Sequence, residues 1–170
     1  MEVICSIGKG SKVKKKQVEH EALFVIIANN IKTHKRQIIG VGASTKEPAF
    51  AYTIGNQEKG LPELLLIGNF HPNITHGILT TVSDSMIEQK ASFKDGHLFN
   101  LGGTHSVKII DAKDPKAKKD YTVQAGQFYA NEDYLVQQVI IPDTNGNWPD
   151  DPGCNVKFKV PVLKSALLLP

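Results

Sequence analysis

Arginine is nearly missing from this chain: Arg36 stands alone among 20 basic residues in 170. Reading of base edges and phosphate forks leans on the planar guanidinium, so sequence-specific DNA binding is not expected. Cysteine is as scarce. Cys5 and Cys154 lie near opposite ends with no C-x-x-C spacing, which leaves neither a redox pair nor a zinc ribbon. They read as buried or idle thiols rather than a disulfide. Long apolar runs are absent near the N-terminus, where the longest, Ala22 to Ala28, has seven residues. That is too short for a membrane span or a signal peptide, so a cytoplasmic protein without membrane contact is expected. The chemistry-bearing motifs are missing too. Gly8-Lys9-Gly10-Ser11-Lys12 lacks the G-x-x-x-x-G-K-[ST] spacing, and there is no G-x-S-x-G, H-E-x-x-H or G-x-G-x-x-G.

What is present is an ordinary globular composition: 41% hydrophobic, 22% charged, net charge +3. This suits one domain with a real core. The charge is uneven. Residues 1–36 carry eight basic and three acidic groups, leaving +5 there and −2 over the rest. The chain is therefore divided into a basic N-terminal segment with a first helix (1–36) and the main α+β body (37–170), within one globular unit. Lys12 and Lys14–Lys16 read as a solvated face, or else as an attractant for a phosphate-bearing partner.

The pattern along the chain predicts a strand at Val3–Cys5, a flexible Gly8–Ser11 turn, and a helix from Val18 to about His34. That helix packs a face containing Val18, Ala22, Val25, Ile26, Ile27 and Ile31. Strands are expected at 37–41, 50–54 and 63–67, each bounded by glycine or proline, followed by a helix capped by Asn73 and reaching about residue 90. A strand at 106–111, an exposed loop at 114–120, a strand at 121–124 and a strong strand at 135–141 follow, with a turn at Asp143-Thr144-Asn145-Gly146. Irregular alternation of strands and helices favours α+β, with a mixed or mainly antiparallel sheet and helices on one face.

Six histidines raise the question of metal. His71 and His76 are five apart, whereas one helical face wants three or four. His97 and His105 read as loop residues, so no metal site is expected, and no cofactor. The carboxylates of Asp150 and Asp151 should diverge in a turn. Glu63, entering an apolar strand after Pro62, is the better acid–base candidate. Tyr52-Thr53-Ile54-Gly55-Asn56 is the strongest candidate site: Tyr52 and Ile54 share a face, Thr53 takes the other, and Gly55 lets backbone approach a ligand. Trp148, the only tryptophan, is either a core lid or a stacking platform. His71 follows a strand end and joins the set.

Pro48-Ala49-Phe50-Ala51-Tyr52-Thr53-Ile54-Gly55, then Pro62-Glu63-Leu64-Leu65-Leu66-Ile67-Gly68, and near the end Gln137–Asp143 with Gly146-Asn147-Trp148-Pro149 and Asp151-Pro152-Gly153, carry a resemblance. Over about residues 37–163 the chain resembles the DUF4262 domains, small bacterial and phage proteins with no assigned activity. Many relatives have His before Pro-Glu and an aromatic after Trp-Pro; here Leu61 and Asp150 stand there. That departure favours binding over catalysis. The residues favour a pocket for a small anionic ligand such as a nucleotide, contacted by Tyr52, Thr53, Gly55, Asn56, Glu63, His71 and Trp148. A hydrolase working through Glu63 with His71 or Tyr52, and a protein-interaction or immunity-type module, are the alternatives, and a homo-oligomer is compatible with each. If the lysine patch only solvates the surface, replacing Lys12 and Lys14–Lys16 with Ser should change stability by no more than about 0.5 kcal/mol in a denaturant titration. A loss of partner affinity that vanishes at high salt would give the patch a binding role instead.

Overall fold

The computed structural model describes residues 10–165. The expected strand at Val3–Cys5, and Gly8 and Lys9, lie outside the described residues. A helix α1 runs Gly10–His34, longer at its N-terminus than the apolar pattern alone suggests. Strands β1 (Gln37–Val41), β2 (Phe50–Ile54) and β3 (Glu63–Ile67) follow where the glycine- and proline-bounded apolar runs place them. Helix α2 (Pro72–Gln89) comes next, then β4 (His97–Gly102) and β5 (His105–Asp111). A π-helical turn at Ala117–Tyr121 leads into α3 (Val123–Tyr129), and β6 (Val136–Ile140) completes the sheet.

The six strands form one sheet in the order β1-β2-β3-β6-β5-β4. Every pairing is antiparallel except β3 with β6, where Glu63 faces Val136 and Leu66 faces Val139. The architecture is α+β with a mixed sheet, and helices cover both faces rather than one. Period-two alternation explains why. Tyr52, Ile54, Leu65, Ile67 and Val136 point to α1 and α3, whereas Ala51, Leu64, Leu66 and Val139 point to α2. Strands apolar at every position need cover on both sides.

Several local expectations are corrected. In α1 the buried residues are Ile27 and Ile31, flanked by the partly buried Leu23 and Phe24, while Val18, Val25 and Ile26 are exposed. At 100° per residue, Leu23, Phe24, Ile27 and Ile31 fall within one arc, and Val18, Ala22 and Val25 lie diametrically opposite. Where a loop over 114–120 and a strand over 121–124 are expected, Ala117–Tyr121 and Val123–Tyr129 are helical, because Ala117, Tyr121 and Ala125 are drawn into the core, with Tyr121 edge-on to Phe50 at 5.0 Å. His97 and His105 sit in strands at the exposed β4–β5 hairpin, not in loops. Ile27→Ala should cost about 2–5 kcal/mol in urea unfolding, whereas Val25→Ala should stay within about 0.5 kcal/mol. The reverse order would return the core-facing stripe to Val18 and Val25.

Candidate functional site

The residues singled out at the end of β2 and the start of β3 do come together, around one carboxylate. Pro62 feeds β3 in extended form, and Glu63 enters completely buried. Its Oε1 accepts from Gly55 N (3.0 Å), Gln57 N (3.0 Å) and the Tyr129 hydroxyl (2.5 Å), and its Oε2 from the Thr53 hydroxyl (2.6 Å). Thr53 Oγ1 in turn accepts from Leu64 N (2.9 Å) and Asn56 Nδ2 (3.3 Å). Asn56 extends the network, donating to Pro62 O and to Ser83 Oγ of α2, both at 3.1 Å.

Gly55 is there for two reasons. Its φ of +125° lies where L side chains are strained, and a Cβ would come within 2.9 Å of Ile31 Cγ1 and 3.2 Å of Arg36 Cα. The end of β2 thus rests directly on the turn between α1 and β1. Burial pushes the Glu63 carboxyl above its ordinary range, and the hydrogen bonds from Thr53, Tyr129, Gln57 and Gly55 only partly pull it back. The Tyr129 phenol is pushed up by its own burial and by the Glu63 charge.

Tyr52 is fully buried, its hydroxyl donating to Gln124 of α3, and burial raises its phenol as well. It is a core aromatic on the opposite side of β2 from Thr53. His71 is exposed and caps α2: its Nδ1 accepts from Asn73 N at 3.2 Å, so the cap is His71, with Pro72 at the first helical position, not Asn73. Trp148 is half-buried, and the Lys108 ammonium lies 4.1 Å from its ring centroid.

The parallel register separates these groups. Glu63 opposes Val136, Trp148 belongs with the far end of β6, where Ile140 pairs with Lys108, and His71 follows the far end of β3. Four strand residues amount to about 13 Å. Tyr52, Gly55, Glu63 and Trp148 therefore do not line one concavity, and Glu63 meets neither His71 nor the Tyr52 hydroxyl. Among the described residues, no three His, Cys, Asp or Glu side chains gather as a metal-binding group, and no helix is long and apolar enough to cross a membrane.

The expected turn at Asp143–Gly146 is present, with Gly146 N donating to Asp143 O, but sequence reasoning missed the Asp143 carboxylate as the hub of the far loop. It accepts from Asn145 N, Asn147 N and Asn155 N (2.9, 2.9 and 2.8 Å), which pull its carboxyl down to about 2. Its stabilising effect is present above the ordinary Asp range and is lost as pH falls toward 2. The signal was available: Asp followed at short spacing by Asn-Gly-Asn is Asx-turn chemistry. Asp150 and Asp151 do diverge, one to the Lys164 ammonium (3.0 Å) and the other to Trp148 N (2.8 Å). The burial of two residues already named, Arg36 as the sole arginine and Gln137 in the family-like stretch, was not foreseen. Arg36 is 7% exposed with its Nε unpaired, and Gln137 is 3% exposed with its Oε1 unpaired.

Glu63→Ala should cost about 3–5 kcal/mol, since it strands the Gln57 amide and the Thr53 and Tyr129 hydroxyls without an acceptor, Gly55 N keeping the Tyr129 hydroxyl at 2.7 Å. Glu63→Gln, which keeps a carbonyl for the donors on Oε1, should cost less. A carboxyl whose folded pKa is raised favours folding most below the ordinary carboxylate range and loses that contribution as pH rises. Denaturant titrations should therefore show wild type losing stability relative to Glu63→Gln between pH 4 and 7. A gap that widens in wild type's favour over that range would mean that the hydrogen bonds outweigh burial.

The profile of a family described as a domain of unknown function, DUF4262, matches residues 30–155. The match begins in the last turns of α1 and runs through the Asp143–Trp148 loop. No curated protein matches the chain, and no solved structure does. The Glu63 network and the Asp143 loop both lie inside the matched stretch, and the chain belongs to the DUF4262 family.

Proposed function

We propose that this domain binds a small anionic ligand of nucleotide type in the groove between β1 and α2. The observation that carries the reading is Arg36. It is buried, one Nη2 donates to Asp84 Oδ1, and Nε has no partner. A buried guanidinium with a free donor is suited to a carboxylate or phosphate fork. Arg36 lines a cavity of about 460 Å³ with His34, His76, Asn30, Gln37 and Thr80. Beyond Ile38 and His76, which border both, a second cavity of about 450 Å³ runs along β1 over Gly40, Gly42 and Gly68, beside Phe70. A Cβ at Gly40 or Gly42 would meet nothing within 4 Å, so these glycines answer no packing need. They leave bare backbone open to a flat group next to an aromatic ring. An anionic head at Arg36 and a planar body over the glycines account for both cavities, each within the usual size of a ligand site.

In this reading Thr53, Gly55, Asn56 and Glu63 act as the frame, with Gly55 holding the backbone of Arg36 in place. The hydrolase alternative lacks an assembled acid–base pair, since Glu63 stands apart from His71 and from the Tyr52 hydroxyl. The interaction-module alternative draws on one feature, the outward Val18 and Val25 of α1 beside Lys14–Lys16. A melting-temperature screen over nucleoside phosphates, nucleosides and inorganic phosphate separates these readings. A binder at 100 times its Kd should stabilise the fold by about 2.7 kcal/mol. Arg36→Lys keeps a cation beside Asp84 but loses the fork, and should weaken binding about tenfold or more. Gly40→Val should block the groove while leaving stability within about 0.5 kcal/mol. A panel without a single shift, or binding unchanged in both variants, overturns the proposal.

A further inference from the structure

A different part of the sheet holds another unsatisfied buried group beside open volume; Asn56 Oδ1, also unpaired, belongs to a residue that borders none of the grooves described. Gln137 lies on β6 between Leu64 of β3 and Asp111 of β5. Its Nε2 donates to Phe93 O (2.7 Å) and Asp111 Oδ1 (2.9 Å). Both partners are acceptors only, so the amide cannot be turned over, and Oε1 is left buried without a donor. Buried acceptors in folded proteins nearly always find one. Gln137 lines a groove of about 720 Å³ at the amino ends of β3 and β6, which shares no lining residue with the Arg36 groove.

The chemistry of this groove is graded. Its floor offers acceptors, Gln137 Oε1 and the Asp111 carboxylate. Its rim carries both signs, the carboxylates of Asp95, Asp114 and Glu132 interspersed with lysines. Lys113 and Lys119 are exposed and, among the described residues, make no ion pair. Lys118 is already engaged, donating to Glu132 O and lying 5.0 Å from the Tyr134 ring centroid. Between floor and rim stand the apolar surfaces of Phe93 and of Leu135, which is 69% exposed. An isolated anion would meet the floor carboxylate, and an isolated amine would meet the lysines. We infer that the groove binds a small zwitterion carrying a primary ammonium, of the free amino-acid class. The ammonium donates to Gln137 Oε1 and Asp111, the carboxylate faces Lys113 and Lys119, and an apolar side chain lies on Phe93 and Leu135.

The test is calorimetric titration of the full chain with the common amino acids, each compared with its N-acetyl form and its methyl ester. At least one zwitterion should bind with a Kd of about 1 mM or tighter. N-acetylation, which removes the ammonium charge, should weaken that binding about tenfold or more. Gln137→Leu should do the same. Because that variant also removes the bonds to Phe93 and Asp111, Lys113→Met together with Lys119→Met provides an exposed, fold-neutral counterpart, expected to weaken binding at least about threefold. Arg36→Lys should leave this binding unchanged, which keeps the outcome separate from that of the β1–α2 groove. No binder up to about 10 mM, or equal binding of the N-acetyl form, would mean that Oε1 holds only water. Equal binding by the double lysine variant would also overturn the zwitterion assignment.

Discussion

A buried carboxylate without a cation is the constraint on which this fold is organised. Glu63 loses the solvation of a charged group on entering the core, and only a full set of donors offsets that cost. The donors come from three places: the backbone of Gly55 and Gln57 as β2 leaves the sheet, the hydroxyl of Thr53 on β2, and Tyr129 at the end of α3. Each needs an acceptor, and Gly55 N shares its hydrogen between Glu63 and the Tyr129 hydroxyl. The network is therefore satisfied only as a whole, and satisfying it sets the position of β2's exit, β3's entry and α3 at once. Gly55 passes that constraint to the α1–β1 turn, against which it packs too closely for any side chain.

Asp143 solves the same problem at the other end of the sheet with the opposite electrostatic result. Three backbone amides converge on it, and its carboxyl falls to about 2, whereas that of Glu63 rises. The difference is one of balance. At Glu63 desolvation outweighs the donors; at Asp143 the amides outweigh desolvation. Both residues lie inside the stretch that the family profile matches, and both have an architectural role there, holding chain turns in place.

Among the described residues three buried side-chain atoms lack a partner, Asn56 Oδ1, Arg36 Nε and Gln137 Oε1, and the last two belong to residues that line grooves. Around Glu63 nearly every donor meets an acceptor, and the carboxylate lines none of the grooves described. Arg36 and Gln137 are buried as well, yet each keeps one atom unpaired and each borders open volume. Their unmet needs are complementary, a donor seeking an anion and an acceptor seeking an N–H. The frame keeps one unpaired atom of its own, Asn56 Oδ1, in a residue that lines none of the grooves described, whereas those of Arg36 and Gln137 belong to residues that border open volume.

The sequence by itself determined the strands at 37–41, 50–54 and 63–67, a strand at 135–141 that the structure trims to Val136–Ile140, and helix α2, because short apolar runs stopped by glycine or proline have one economical reading. It also placed Thr53, Gly55, Asn56 and Glu63 near one another, since a short polar connection joins antiparallel neighbours. It failed where local pattern and tertiary packing disagree. His97–Gly102 alternates too weakly to announce an edge strand, and residues 117–129 carry Tyr121-Thr122-Val123, good strand formers, in a segment that is helical because Ala117, Tyr121 and Ala125 fill the core. In α1 the periodicity reads as one broad face from Val18 to Ile31; packing buries only its Ile27 and Ile31 and leaves Val18, Val25 and Ile26 outside. Most of all, only the tertiary structure decided that β6 runs parallel to β3. Residues 68 and 135 are joined by the long crossover that a parallel pair requires, and that direction carries His71 and Trp148 to the end of the sheet away from Glu63.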